Sequence, residues 1–401
     1  MTRAPVKDWT TDWDHLDPAW VNDPYSIFSE LRDTCPVAHT DRYGGAYLLT
    51  RHDDIREVAY DPARFSSHRI AVAEDAVNIP TPPITLDPPE HRPIRMLLMP
   101  AFTPKAMAKL EPLTRSICND LLDQIVGKDH CDAAVEYAQN IPVPIIAHML
   151  GIPPEDGDRF RRWVTMSFED GLDDPDAIRQ AVSEMDQYFL QKISERRDNL
   201  LDPEDDLTSS LIQARLPNGE PLSDADINDL LRVMLLAGID TTWSAIGIAI
   251  WHLATHPEDR ERLVREPELV ATAIEEFLRA YAPTIMVREI VEDTIVSGCP
   301  LRKGELVVMP VAAATRDPKT VTDAERVVID REKNQHSAFG MGIHRCVGAP
   351  LARMELRIAI EEFLKRIPEF RLDPEGEILW SIGIVRGPRR VPLLLGDKAA
   401  A

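Results

Sequence analysis

Apolar positions recur at the helical period along most of the chain. The clearest run is "VMLLAGIDTTWSAIGIAIWHLA", Val233 to Ala254, apolar on nearly every face. Ser223 can cap this helix, and Asp226 three residues on completes a capping box. The "THP" that follows Ala254 stops it. The spacing predicts a helix of about 32 residues, roughly 48 Å at 1.5 Å per residue. Apolar all round, it must cross the middle of the molecule. A second helix is written by Ala352, Leu356, Ala359, Phe363 and Ile367. Pro350 is tolerated only in a first turn, so this helix starts just past Cys346.

Strand-like runs are short: Ala46–Thr50, Thr294–Gly298, Glu305–Val311 and Val391–Leu395. The proline-rich stretch Ile79–Pro93 reads as an ordered loop leading into a helix, and Leu200–Ser210 as another loop. Neither has the composition of a flexible linker, and no internal repeat interrupts the pattern. The predicted fold is mainly α with small β-sheets, in one unit spanning residues 1–401.

The Val233–Ala254 run is long enough to cross a bilayer. Asp240 would then sit near its middle, at about 2.5–3.5 kcal/mol on insertion scales. No flanking anchor pattern supports that, and a buried central helix is the expectation. The N-terminus lacks the apolar core of a signal peptide. A formal net charge of −22 argues against general nucleic-acid or anionic-membrane binding. The five cysteines, Cys35, Cys118, Cys131, Cys299 and Cys346, are odd in number and lack a CxxC pair. A disulfide framework or a zinc site is therefore not expected, and a reducing cytoplasm fits.

The candidate chemistry begins at Cys346, placed at a helix N-terminus where the dipole and unpaired N–H groups favour a thiolate. Gly340, Gly342 and Gly348 clear side chains from the loop, so a flat, bulky group can approach the backbone. A thiolate held this way can ligate a soft or borderline metal, haem iron included. A buried free cysteine is the competing reading on spacing alone. In the central helix, "AGIDTT" (Ala237–Thr242) sets a glycine and two threonines where a helix prefers neither. A threonine hydroxyl there can bond the carbonyl one turn back. A small-residue notch beside a hydroxyl and a carboxylate could hold a ligand such as O2, or it could be close helix packing.

Four segments together resemble cytochromes P450. "FGMGIHRCVG", Phe339 to Gly348, is similar to the family's haem-binding loop, F-x-x-G-x-x-x-C-x-G, at every fixed position. The resemblance implies that Cys346 is the axial thiolate ligand, that Phe339 packs beside the sulfur, and that His344 reaches a haem propionate. "AGIDT" resembles the oxygen-binding stretch, which implies roles for Ala237 and Gly238 beside the haem and for Asp240 and Thr241 in proton delivery. "EEFLR", Glu275 to Arg279, resembles the structural E-x-x-R pair, Glu276 with Arg279. Its third partner should come from "AERVVIDRE" (Ala324–Glu332), where Arg326 is the candidate although Val327 departs from the usual Phe. "LDPPEHRPIRMLLMPAFTP" (Leu86–Pro104) resembles the segment whose histidine and arginine bind propionates, which implies His91 and Arg95. Arg288 matches a further propionate arginine on a strand.

The resemblance covers Asp23 to Leu395 and implies the cytochrome P450 fold, a helical bundle around haem with a long central helix. It implies a haem b monooxygenase that uses O2 and draws reducing equivalents from NAD(P)H through separate partners, expected to be a ferredoxin and ferredoxin reductase. Arg92, Lys105, Lys109, Arg345 and Arg353 are candidates for a basic docking patch. The chain is expected to be cytoplasmic and monomeric. Its substrate is expected to be small and lipophilic or aromatic, in a pocket lined by Ile70–Ile84, Met234, Leu235, Ala237, Thr284–Val287 and Ile382–Ile384. A peroxide-using peroxygenase and a non-enzymatic haem binder are the alternatives.

Overall fold

The computed structural model describes residues 4–72, 79–172 and 174–396. Its central helix runs Asp224–Thr255, as its sequence signals predict. Ser223 Oγ accepts from the Asp226 N–H while the Asp226 carboxylate accepts from the Ser223 N–H, so the capping box is complete. This helix is long and apolar enough to cross a membrane by composition, yet 78% of its most apolar stretch is buried within the protein. Helices Pro142–Leu150, Pro175–Asp198 and Ala349–Arg366 pack against it. The Ala349–Arg366 helix also lies along Pro104–Asp123.

Gly238 makes one of these approaches possible. A β-carbon there would come within 2.5 Å of Ile146, on the Pro142–Leu150 helix. The small residues of "AGIDTT" therefore serve close packing on one side as well as opening a notch on the other.

The largest sheet has five strands in the order Val37–Thr40, Ala46–Leu49, Leu306–Pro310, Ile285–Ile290 and Phe65–Ser66. Ala46–Leu49 and Leu306–Pro310 run parallel, with Tyr47 opposite Val307; the remaining pairs are antiparallel. Thr294–Val296 pairs with Cys299–Leu301, and Pro392–Leu395 lies between His130–Asp132 and Phe370–Leu372. The hairpin strands Leu379–Trp380 and Pro388–Arg390 complete the β structure among the described residues. Each strand expected from the sequence is present, shortened by a residue or two at its ends. Leu200–Ser210 is not wholly a loop: a helix, Leu207–Gln213, begins inside it, capped by Asp206.

Candidate active site

Two elements that pack on each other carry the candidate residues. On the first, the central helix, most residues are buried, but Ala237 is exposed and Gly238 and Thr241 are partly so. Thr241 Oγ donates to the Ala237 carbonyl at 2.8 Å, the one-turn back-bond expected of a threonine here. On the second, the helix Ala349–Arg366 begins with Gly348 as its N-cap and Pro350 in its first turn. Cys346 lies two residues before that cap, and its N–H donates to the Phe339 carbonyl at 2.8 Å, closing the loop. Cys346 is exposed, although the surrounding protein still desolvates its thiol.

The loop glycines have distinct reasons. Gly342 holds φ at +69°, and a β-carbon there would collide with the Ala59 carbonyl at 2.1 Å. Gly348 brings the backbone to the sulfur: its β-carbon position lies 3.8 Å from Cys346 Sγ and 3.6 Å from the Phe102 ring. Phe102 was not among the residues expected from the sequence. Phe339 turns its ring to the Arg353 guanidinium, 4.4 Å from its centroid.

The helix N-terminus does not by itself make a thiolate of Cys346. Burial pushes the thiol up, against the Gly348 N–H and the charges of Arg95, Arg345 and Arg353. Dipole and N–H groups lower the cost of the anion; a coordinated cation is what would make it the stable form.

Beside the sulfur, four donor groups converge. His91 is buried, its Nε2 has no hydrogen-bond partner, and its ring meets that of His344 edge to face at 4.4 Å. Arg95 donates to the Arg345 carbonyl. Arg288, on the Ile285–Ile290 strand, is buried, with a hydrogen bond to the Val287 carbonyl at 2.7 Å. No carboxylate forms an ion pair with His91, Arg95 or Arg288 among the described residues. Burial and the neighbouring cations push His344 down to about 3, and burial lowers Arg288 to about 10. Asp87 acts on Arg288 and His91 only from beyond ion-pair distance, and two guanidinium groups left without a paired carboxylate fit a bound group carrying carboxylates, with a soft ligand atom at Cys346 next to it. Ser67 completes the cluster, with its Oγ 2.9 Å from His344 Nε2, and its own N–H donates to Asp87. No local pattern in the sequence marks Ser67, which pairs with a residue 277 positions away.

Residues 174–382 match the family described as cytochrome P450. Mycinamicin IV hydroxylase/epoxidase of Micromonospora griseorubida is 36% identical over 380 residues, covering 92% of this chain and 94% of its own. This chain belongs to the cytochrome P450 family. Vitamin D(3) 25-hydroxylase of Pseudonocardia autotrophica is 34% identical over 392 residues, with 95% of this chain and 96% of its own covered. Among solved structures, CYP109E1 from Bacillus megaterium in complex with testosterone superimposes with a TM-score of 0.82 at 34% identity, over 93% of this chain and 99% of its own. The P450 is accordingly a monooxygenase whose cofactor is haem b, with O2 as co-substrate and electrons from NAD(P)H by way of redox partners.

One expectation about this P450 is corrected by its structure. The third member of the Glu276–Arg279 group is Arg331, whose Nε lies 2.9 Å from Glu276 Oε2; Arg326 supplies only its carbonyl, to Arg279 and Arg331. Chain geometry decides this, because 316–338 has no regular period from which a side chain's direction could be read. Among the basic-patch candidates, Lys105, Lys109 and Arg353 are already paired, with Glu204, Asp205 and Glu275. Arg92 and Arg345 remain exposed and without an ion pair among the described residues. Asp240 has no exposed surface and is bound by Arg389.

Of the expected pocket, Ala237 is exposed, Ile285 and Met286 are partly so, and Met234 and Leu235 are buried. Residues 73–78 of the Ile70–Ile84 stretch lie outside the described residues.

Proposed function

We propose that residues 1–401 form one haem domain in which Cys346 is the axial ligand and His91, Arg95, Arg288 and His344 hold the haem carboxylates. Asp240 and Thr241 serve proton delivery, Ala237 and Gly238 provide the surface over which O2 and substrate approach, and Phe339 and Gly348 shape the loop around the sulfur. The observation that carries this is the place of Arg95. It donates to the carbonyl of Arg345, the residue before Cys346, and its charge acts on His344 as well as on the sulfur.

Haem, when bound, supplies the redox chemistry of dioxygen activation. The protein's own residues do the rest. A site that excludes bulk water would keep protons from arriving except through placed groups. Thr241 has its hydroxyl proton committed to the Ala237 carbonyl, which leaves its oxygen free to accept. Asp240, next in the chain and fully buried, is the acid behind it.

The substrate is lipophilic. The mostly apolar pocket positions support this, as do relatives named for a macrolide and for vitamin D(3), and a neighbour crystallised with testosterone. The electron donor is an acidic ferredoxin served by a ferredoxin reductase, for which Arg92 and Arg345, exposed and unpaired among the described residues, offer the docking charges. The protein works as a soluble cytoplasmic monomer.

The test is a titration of the ferric, haem-loaded protein with macrolides, steroids and secosteroids, following the low-spin to high-spin change. A saturable change with at least one class is expected. The same compound should gain one oxygen atom with ferredoxin, reductase and NAD(P)H. Product formed from peroxide alone at the same rate would favour a peroxygenase. Haem binding without turnover of any compound that shifts the spin state would favour a haem binder.

A further inference from the structure

Asp240 Oδ1 accepts from Arg389 Nη2 at 2.7 Å, and Asp240 Oδ2 has no hydrogen-bond partner. The same guanidinium reaches Glu169 through Nε and Ser244 Oγ through Nη1 at 3.0 Å. One cation thus serves two carboxylates inside the protein. Only Glu169, with 30% of its side chain exposed, has real access to solvent.

The three groups are not equally fixed. Gly387 lies so close to the central helix that a β-carbon would fall 2.2 Å from Ser244 Oγ, and a β-carbon at Gly247 would fall 2.9 Å from the Pro388 ring. The strand that carries Arg389 is therefore locked to the helix that carries Asp240. Glu169 instead ends the helix Gly157–Phe168 and opens the short turn Asp170–Leu172 that leads to Pro175–Asp198. That turn rests on the hairpin at Gly383, whose β-carbon position is 3.3 Å from the Leu172 methyls.

We propose that Glu169 and Arg389 are positioning residues that tie the protonation of Asp240 to the seating of the Asp170–Leu172 turn. With the turn seated, Glu169 shares the guanidinium and Asp240 carries a proton taken from water. With the turn lifted, Arg389 is left to Asp240 alone and holds it as the carboxylate. The acid is thereby charged with its proton when the turn is down. This rests on reading Asp240 as a proton-delivery residue.

The charges around Asp240 have the required signs. Burial raises its proton affinity, Arg389 from the hairpin lowers it, and Glu169 from the helix end raises it. Trp243 and Ser244, the neighbours on its own helix, are uncharged. Linkage then requires the reverse effect: a permanently neutral residue 240 must hold the turn down more firmly.

The experiment uses the haem-loaded protein and the variants Glu169→Gln and Asp240→Asn. Glu169 is partly exposed, so its neutral isostere keeps the fold. Two quantities are read: product per O2 consumed across pH, and, without turnover, hydrogen exchange at the Leu172 amide, which donates to the Glu169 carbonyl. Glu169→Gln should move the midpoint of the coupling profile down by about one pH unit, tenfold in the protonation ratio, and should speed the exchange. Asp240→Asn should lose coupling and slow the same exchange, because the guanidinium then serves Glu169 alone. Loss of coupling in Asp240→Asn, with unchanged exchange there and an unchanged midpoint in Glu169→Gln, would overturn the link and leave the proton-delivery reading standing. Full coupling in Asp240→Asn would overturn both.

Discussion

Arg279 meets Glu276 with two parallel hydrogen bonds, Nε to Oε2 at 2.8 Å and Nη2 to Oε1 at 2.9 Å, and neither side chain is exposed. Spacing on a helix would assign such a pair only about 0.2–0.5 kcal/mol. Burial changes its weight. Arg279 also donates to the carbonyls of Thr315, Ala324 and Arg326, and Glu276 accepts from Arg331, Asn334 and the Val328 N–H. The pair therefore ties the irregular segment 315–334 to the helix Val270–Tyr281. Glu276→Ala would strand two guanidinium groups and should cost about 3–5 kcal/mol. Thermal unfolding and haem retention, read side by side, check this.

Cys346→Ala should leave the far-ultraviolet circular dichroism unchanged, because the loop is closed by the backbone bond from residue 346 to Phe339 and not by the sulfur. It should abolish the red-shifted band of the ferrous carbon monoxide complex, which depends on thiolate ligation. Retention of that band would exclude Cys346 as the ligand.

Thr241→Ala removes the hydroxyl held at the Ala237 carbonyl and little else. Haem content should remain that of the parent protein. Consumption of NAD(P)H should continue while peroxide replaces product. A variant that stays fully coupled would show that proton delivery does not pass through Thr241.

Arg288→Ala removes a buried guanidinium that meets no carboxylate of the described chain. A charge-assisted bond to a haem carboxylate contributes about 1.5–3 kcal/mol, so haem affinity should fall roughly ten- to a hundredfold. The rate of haem loss to a competing acceptor protein measures it. An unchanged rate would remove Arg288 from the cofactor site.

Glu275 gives the acid side of stability a defined window. Burial raises its proton affinity, but His336 at 2.9 Å and Arg353 at 2.7 Å overcome that and hold it down to about 2, from an ordinary value of 4.5. A depressed carboxyl stabilises the fold above its unfolded value. That contribution is fully present above about pH 4.5 and is lost as pH falls toward 2. Glu275→Gln should flatten the stability profile across this interval while lowering stability at neutral pH. Denaturant unfolding at a series of pH values would show whether the two curves converge at low pH.

The sequence by itself determined what is written within a turn or two of chain. The central helix could be read from cap to stop, because Ser223, Asp226 and the "THP" after Ala254 are local signals. The start of the helix after Cys346, the glycine loop around it and the Thr241 back-bond are local in the same sense. Tertiary structure decided which distant groups meet. Asp240 is bound by a residue 149 positions away, His344 by Ser67, and Lys109 by Asp205. Arg331 rather than Arg326 completes the Glu276 group because an irregular segment folds back to present it. Hydrophobic period and capping record how a segment meets water and its own backbone. They carry no record of which charge from elsewhere will be desolvated beside it, and that pairing sets the proton affinities on which this site depends.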